Sequence, residues 1–180
     1  IRSYNPYPDV PKKLLLEAAD IINDAKRPFI LAGNGVTISG AERELAAIAE
    51  KANIPVATTL LGLSCISSDH PLYKGMIGMH GNVACNIATT NCDVLIAVGM
   101  RFSDRVTGDI DRFAPQAKII HIDIDKSELD KVIPTTVGLN GDAKTTLQQL
   151  LPFVHSANHD EWLRSFDDDW AIEREKVIND

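Results

Sequence analysis

Asp93-Val94-Leu95-Ile96-Ala97-Val98-Gly99-Met100, continuing as Arg101-Phe102-Ser103-Asp104-Arg105-Val106-Thr107-Gly108, decides how this chain is read. From Val94 to Val98 every residue is apolar, with no alternation of polar and apolar positions. Such a run is a strand buried on both faces, the signature of a parallel sheet covered by helices on both sides. A glycine ends the run, and two arginines with an acid between them follow. In an open α/β sheet, ligands bind outside the carboxyl ends of the strands. Guanidinium groups placed there can fork onto phosphate oxygens. The stretch therefore points to a crevice for a phosphate-bearing cofactor. A solvated ion pair among Arg101, Asp104 and Arg105 is the competing reading, but it gives no reason for the flanking Gly99 and Gly108.

Working outward, the same grammar repeats. Residues 1–11 read as an extended linker, because Pro6, Pro8 and Pro11 block a helix. Leu14, Leu15, Ala18, Ile21, Ile22 and Ala25 then recur at helical spacing. Pro28–Ala32 is a short buried strand ending in Gly33-Asn34-Gly35, and a second helix is expected from near Gly40, with Leu45, Ile48, Ala49 and Ala52 on one face. Ile54–Thr59 reads as a strand, 61–82 as loop with at most one short element, and Asn82 as the cap of a helix running to about Thr90. Lys118–Ile124 is a further strand, Thr136–Leu139 a weaker one, and Asp142 opens a helix carrying Leu147, Leu150, Leu151 and Val154. The fold class is α/β: a doubly wound parallel sheet with helices on both faces and at least five strands. Residues 12–155 form the cofactor-binding domain. Residues 156–180 are a charged helical extension towards a following domain, on which Trp162, Leu163, Phe166, Trp170, Ile172 and Val177 are the sparse apolar positions. Two tryptophans on so polar a helix dock onto this domain or onto a neighbour.

Composition narrows the function. The 180 residues suit one domain, or a domain with tails, and 44% hydrophobic with 24% charged residues is an ordinary globular balance. A formal net charge of -7 argues against non-specific nucleic-acid binding, so an anionic ligand is held by local positive groups against the overall field. Cys65, Cys85 and Cys92 show no Cys-x-x-Cys spacing and read as free, buried thiols in a reducing compartment. No apolar run reaches membrane-spanning length and no signal peptide is visible, so no membrane partner is expected. A start at Ile1 rather than methionine suggests a piece of a longer polypeptide.

Besides the Arg101 segment, four strand ends and one glycine-rich loop carry candidate residues. Gly33-Asn34-Gly35 lets backbone approach a pyrophosphate, although the full Gly-x-Gly-x-x-Gly fingerprint is absent, the third glycine being Gly40; a tight strand-to-helix turn weighs equally. Thr58-Thr59-Leu60 offers hydroxyls and amides, or is a plain strand terminus. Gly75-Met76-Ile77-Gly78-Met79-His80-Gly81 is flexible enough to lie along a flat ligand, with methionine to pack on rings; alone, His80 is a loop histidine bonded to backbone. Asp123, in His121-Ile122-Asp123-Ile124-Asp125, is placed to accept ribose hydroxyls, while Asp125 caps the next helix. Gly141-Asp142 repeats the theme. A doubly wound sheet would bring all of these, with Arg101, to one edge.

At this point the chain resembles a known family. Arg101-Phe102-Ser103-Asp104-Arg105-Val106-Thr107-Gly108, with Gly78-Met79-His80-Gly81 upstream, is similar to the central domain of the acetolactate synthase (acetohydroxyacid synthase) catalytic subunit. The resemblance runs from Tyr4-Asn5-Pro6 through Gly141-Asp142. It implies a six-stranded, Rossmann-like parallel sheet that holds FAD in an extended pose, a flavin with no net redox work in the main reaction. It implies a cytoplasmic parent that condenses two pyruvates, or pyruvate with 2-oxobutyrate, with loss of CO2, in branched-chain amino-acid synthesis. Thiamine diphosphate and Mg²⁺ would bind the flanking domains of the same chain, leaving this segment without catalytic residues or metal ligands and inert by itself. The parent would be a homo-oligomer with a regulatory subunit. Carried over by position, the FAD contacts would be Gly33, Asn34, Gly35, Thr58, Thr59 and Leu60, then Gly78, Met79 and His80 along the cofactor. Gly99, Arg101, Arg105 and Val106 would hold the phosphates; Asp123, Ile124 and Glu128 would take the adenosine end, and Gly141, Asp142 and Ala143 would close it. Two positions depart: Ser103 stands where the family usually has an acid, and Asn34 where it commonly has a third glycine. Glyoxylate carboligase, a sulfoacetaldehyde-processing relative and pyruvate oxidase are alternative parents for the same fold, and a stand-alone nucleotide-binding module is the alternative of a different class.

Overall fold

The computed structural model describes residues 7–175; Tyr4-Asn5-Pro6 and Val177 lie outside the described residues. Six parallel strands form one sheet: β1 (Pro28–Ala32), β2 (Val56–Thr58), β3 (Tyr73–Met76), β4 (Val94–Val98), β5 (Lys118–Asp123) and β6 (Val137–Asn140). Their order is β3-β2-β1-β4-β5-β6, all parallel, and it reverses between β1 and β4. That junction is the topological switch point of a doubly wound sheet, where its ligand crevice opens. The central pair is in register from Pro28 opposite Val94 to Ala32 opposite Val98.

Both faces are buried, which is why the strands carry no polar alternation. Alternate residues supply two cores. Ile30, Ile96, Val98, Ile120 and Ile122 point to a cluster closed by helices α1 (Lys12–Asp24), α2 (Asn34–Ser39), α3 (Glu42–Ala52) and α6 (Ala143–Leu150). Phe29, Leu31, Leu95 and Ala97 point the other way, under α4 (Val83–Asn91), the segment around α5 (Asp104–Thr107), and α7 (Asp160–Glu173).

The structure revises two local expectations, at Gly40 and beyond α6, and identifies the short element allowed in 61–82. The helix expected from near Gly40 is two helices: α2 begins directly at Asn34, and Gly40, left-handed at φ 64°, ends it before α3. Gly40 is thus a C-cap and not a third fingerprint glycine. The segment 61–82 contains an edge strand, β3, that periodicity does not reveal, because Tyr73-Lys74-Gly75-Met76 is only half-buried. Leu151 and Val154 lie beyond α6, which stops at Leu150 and passes into a single 3₁₀ turn, Leu151–Phe153.

Helix α7 docks on this domain. Trp162 donates its indole N–H to the Pro28 carbonyl at 2.9 Å, and Trp170 donates to the Lys74 carbonyl at 3.1 Å. Phe166 is fully buried with its ring centroid 5.4 Å from that of Phe29. Each indole thus finds the polar partner a buried tryptophan needs.

The three thiols are free and buried. Burial pushes Cys65 up to about 11, and Cys85 and Cys92 up to about 12, so all three are unreactive thiols packed as small apolar groups. Among the described residues no helix is long and apolar enough to cross a membrane.

Candidate cofactor-binding site

The carboxyl ends of β1 and β4 meet backbone to backbone. Gly33 N donates to the Val98 carbonyl and Gly35 N to the Gly99 carbonyl, both at 2.9 Å. A Cβ on Gly33 would stand 2.3 Å from Gly99 O, and one on Gly35 would stand 2.6 Å from Gly99 Cα. Gly99 itself has φ 57°, a left-handed conformation that suits glycine. The glycines of the first turn are therefore required by two main chains crossing at the switch point.

Around that crossing the other strand ends join in. Gly99 N donates to the Ile122 carbonyl at 2.8 Å, one residue before Asp123. Thr59 N donates to Ala32 O, Ile77 N to Thr58 O and Gly141 N to Asp123 O, at 2.9, 2.9 and 3.0 Å. The loop after β3 reaches across to α5, where Met79 N donates to the Arg105 carbonyl at 2.9 Å. Gly33, Asn34, Gly35, Thr59, Leu60, Gly78, Met79, His80, Gly99, Arg101, Arg105, Asp123, Ile124 and Gly141 thus share the carboxyl edge.

What each residue offers differs. Arg101 and Arg105 are exposed, and no ion pair engages either guanidinium among the described residues. Asp104 caps backbone instead of pairing with them, accepting Arg105 N at 2.9 Å. Leu60 (66% exposed), Met79 (71%) and Ile124 (47%) turn large apolar side chains outward on this rim. Asn34 and His80 are also exposed, and Val106 is half-buried against the core. Other candidates are engaged within the protein. Thr58 is fully buried, its hydroxyl 3.4 Å from that of Tyr73. Glu128 pairs with Lys131 at 2.7 Å. Asp142 caps its own helix by accepting Thr145 N at 3.1 Å, with Ala143 buried behind it. Asp125 caps the 3₁₀ turn after β5 through Ser127 N at 2.9 Å, as its sequence context suggests.

Sequence reading misses the amide brackets under the glycine loop. Asn86 holds both polar groups of Gly78, donating to its carbonyl at 3.0 Å and accepting its N–H at 3.1 Å. Asn82 Oδ1 accepts Met76 N at 2.9 Å, so its side chain does not cap α4. The only sequence signal was an asparagine pair four apart at the start of a helix following a glycine loop.

Beneath the Arg101 turn lies His121, fully buried on β5. The Met100 carbonyl accepts a hydrogen bond from Nε2 at 2.9 Å, so that nitrogen carries the proton, and Nδ1 has no partner among the described residues. Burial lowers the His121 pKa and raises that of Asp123, whose Oδ2 lies 3.8 Å from Nε2. Burial works against the charged form of each. A histidine whose folded pKa is depressed stabilises the fold above its unfolded value and loses that stabilisation as pH falls through the folded one. Melting temperature should therefore drop on acidification below about pH 6.5, the ordinary imidazole value, and drop less in His121→Gln. The raised Asp123 acts oppositely, losing stabilisation as pH rises above its unfolded value. Asp123 is present in both proteins but feels the His121 charge, so the wild-type minus variant difference reports His121 together with its effect on Asp123. Parallel melting curves would refute the assignment.

A concavity lies elsewhere on the described residues. A cleft of about 1240 Å³ lies at the opposite, amino edge of the sheet, between the ends of α1, α4 and α7, and is lined by Lys26, Arg27, Asn91 and Asp168 among others. The carboxyl rim is an open ledge by comparison. The strand ends and the candidate residues converge at the rim and not at this cleft. Among the described residues no three His, Cys, Asp or Glu side chains stand together as metal ligands.

Residues 15–150 match the family model described as thiamine pyrophosphate enzyme, central domain. The chain is 58% identical over 135 residues to the probable acetolactate synthase large subunit of Methanocaldococcus jannaschii, covering 75% of this chain and 23% of that protein. It is 45% identical over 148 residues to the acetolactate synthase large subunit of Corynebacterium glutamicum, covering 82% and 24%. It is 42% identical over 156 residues to the acetolactate synthase isozyme 1 large subunit of Escherichia coli, covering 86% and 27%. The chain thus spans about a quarter of the length of these relatives. A six-stranded sheet that reverses order at a glycine crossing, together with the match along most of its length, makes this chain a member of the thiamine pyrophosphate enzyme central-domain family.

Proposed function

We propose that this chain is the FAD-binding central segment of an acetolactate synthase large subunit, acting within a longer polypeptide. The observation that carries the reading is the pair of exposed arginines, Arg101 and Arg105, on the segment that follows the Gly33–Gly99 crossing, with no ion pair on either guanidinium among the described residues. Two forked cations next to bare backbone suit a pyrophosphate. The exposed Leu60, Met79 and Ile124 give the same ledge apolar patches for flat rings. The residues present therefore fit FAD. Arg101 and Arg105 would hold its phosphates and orient them, Asp123 and Ile124 would face its adenosine end, and the Gly78–His80 loop would exclude water from its length. When bound, the flavin contributes shape to the site and no net electron transfer to the condensation.

Among the described residues no group of three or more His, Cys, Asp or Glu side chains could hold a metal ion, and we assign thiamine diphosphate, Mg²⁺ and the chemistry on pyruvate to the flanking segments of the parent. In this reading residues 12–155 are the cofactor-binding unit and 156–180 lead towards the next one. The parent is a cytoplasmic homo-oligomer with a regulatory subunit.

The test is expression of the complete reading frame containing this chain, followed by an absorbance spectrum and an assay with thiamine diphosphate, Mg²⁺, FAD and pyruvate. The expected result is a flavin spectrum with 2-acetolactate and CO2 as products. In parallel assays, tartronate semialdehyde formed when glyoxylate is supplied, or acetyl phosphate with peroxide formed from pyruvate when phosphate and O2 are supplied, would replace the proposed parent by a carboligase or an oxidase. A parent that neither copurifies with flavin nor binds added FAD would overturn the cofactor reading.

A further inference from the structure

Helix α4 begins beside the glycine loop without the cap its sequence advertises. Asn82 occupies the N-cap position, but its side chain turns back to accept Met76 N, leaving the first amides of α4 unserved. A helix start keeps unpaired N–H groups and a partial positive charge, and an acceptor, preferably anionic, must serve them. Here the acceptor comes from the far end of the chain. Glu173, at the last turn of α7, is buried, with Oε2 accepting Val83 N at 3.0 Å and Oε1 accepting Asn82 Nδ2 at 3.4 Å.

We infer that Glu173 is a positioning residue for the Ile77–Gly81 loop, holding it through Asn82 so that Met79 and His80 stand on the rim. The connections are continuous. Glu173 fixes the Asn82 amide group, and Asn82 brackets Met76 through both its side chain and its own N–H, the latter at 2.8 Å to the Met76 carbonyl. The loop that leaves Met76 is pinned at Gly78 by Asn86, also on α4, and ends on the Arg105 carbonyl through Met79 N. The segment has little stiffness of its own: Gly75 and Gly78 sit at φ 121° and 110°. Its order is borrowed from α4, whose first turn is fastened by α7. The C-terminal helix therefore reaches the candidate site without touching a ligand. The consequence for the cofactor rests on the FAD reading above; the control of the loop does not.

The test uses the complete parent chain as wild type, Glu173→Ala, Glu173→Gln and, as a control on the same helix, Ile172→Ala at a half-exposed position. Amide hydrogen exchange is read in peptides covering 75–86 and in β4, and FAD binding is titrated by flavin fluorescence. In Glu173→Ala, exchange at Met76, Gly78 and Val83 should quicken about tenfold while β4 stays protected, and FAD affinity should fall several-fold. Glu173→Gln keeps an acceptor oxygen and should recover part of both; Ile172→Ala should match wild type. Unchanged exchange in 75–86, or an equal loss of protection in β4, would overturn the positioning role. A loosened loop with undiminished FAD affinity would overturn its link to the site. If wild type binds no FAD, the proposed function fails and the exchange arm alone decides the role of Glu173.

Discussion

Gly33→Ala should destabilise the protein by about 3 kcal/mol or more, at the upper end of what overpacking a closed site costs. The added methyl carbon would sit 2.3 Å from the Gly99 carbonyl oxygen and 2.5 Å from Met100 Cβ. Those neighbours cannot step aside cheaply, since Gly99 N is tied to Ile122 O and Gly33 N to Val98 O. Backbone strain plays no part, because Gly33 has φ -108°. Gly40→Ala is the matched comparison: there φ is 64° and nothing lies within 4 Å, so the substitution should cost only about 1 kcal/mol. Urea unfolding of both variants measures the difference. If Gly33→Ala proves no worse than Gly40→Ala, the main-chain crossing is not the reason for the glycine.

The second large effect is on binding. Arg101→Ala and Arg105→Ala should each remove a charge-assisted contact of about 1.5–3 kcal/mol. The double variant should lose at least about 100-fold in FAD affinity when compared with the wild-type parent. Stability should hardly change, because both side chains are exposed and no ion pair engages them among the described residues. Raised salt should narrow the gap between the proteins, as screening weakens the arginine contribution in wild type alone. An unchanged dissociation constant in the double variant would remove the phosphates from this rim.

Much of this architecture was legible in the chain because strands buried on both faces leave an unmistakable pattern. Val94–Val98 and Ile119–Ile122 announce a parallel sheet, and the residues just beyond each strand fall on one edge by topology alone. What stayed hidden was hidden for physical reasons. β3 is an edge strand with Lys74 and Gly75 in it, so its pattern is that of a loop. The division at Gly40 depended on a left-handed cap, a conformation many glycines could adopt. Thr58 and Asp142, candidates from their place after strands, and Glu128, implied by the resemblance, each have a side chain engaged with Tyr73, Thr145 or Lys131, partners that periodicity does not show. The Asn82, Asn86 and Glu173 brackets joined positions up to 91 residues apart, a separation no local reading spans.

The family match ends at residue 150, but the buried surface does not. Phe166 and Trp162 complete the second core against Phe29, and Trp170 shields the outer side of β3 at the Lys74 carbonyl. The region matched by the family model is therefore shorter than the unit that folds. A fragment trimmed to the alignment would carry an open flank able to pair with its own copies, and its solubility would say nothing about the stability of the domain inside its parent.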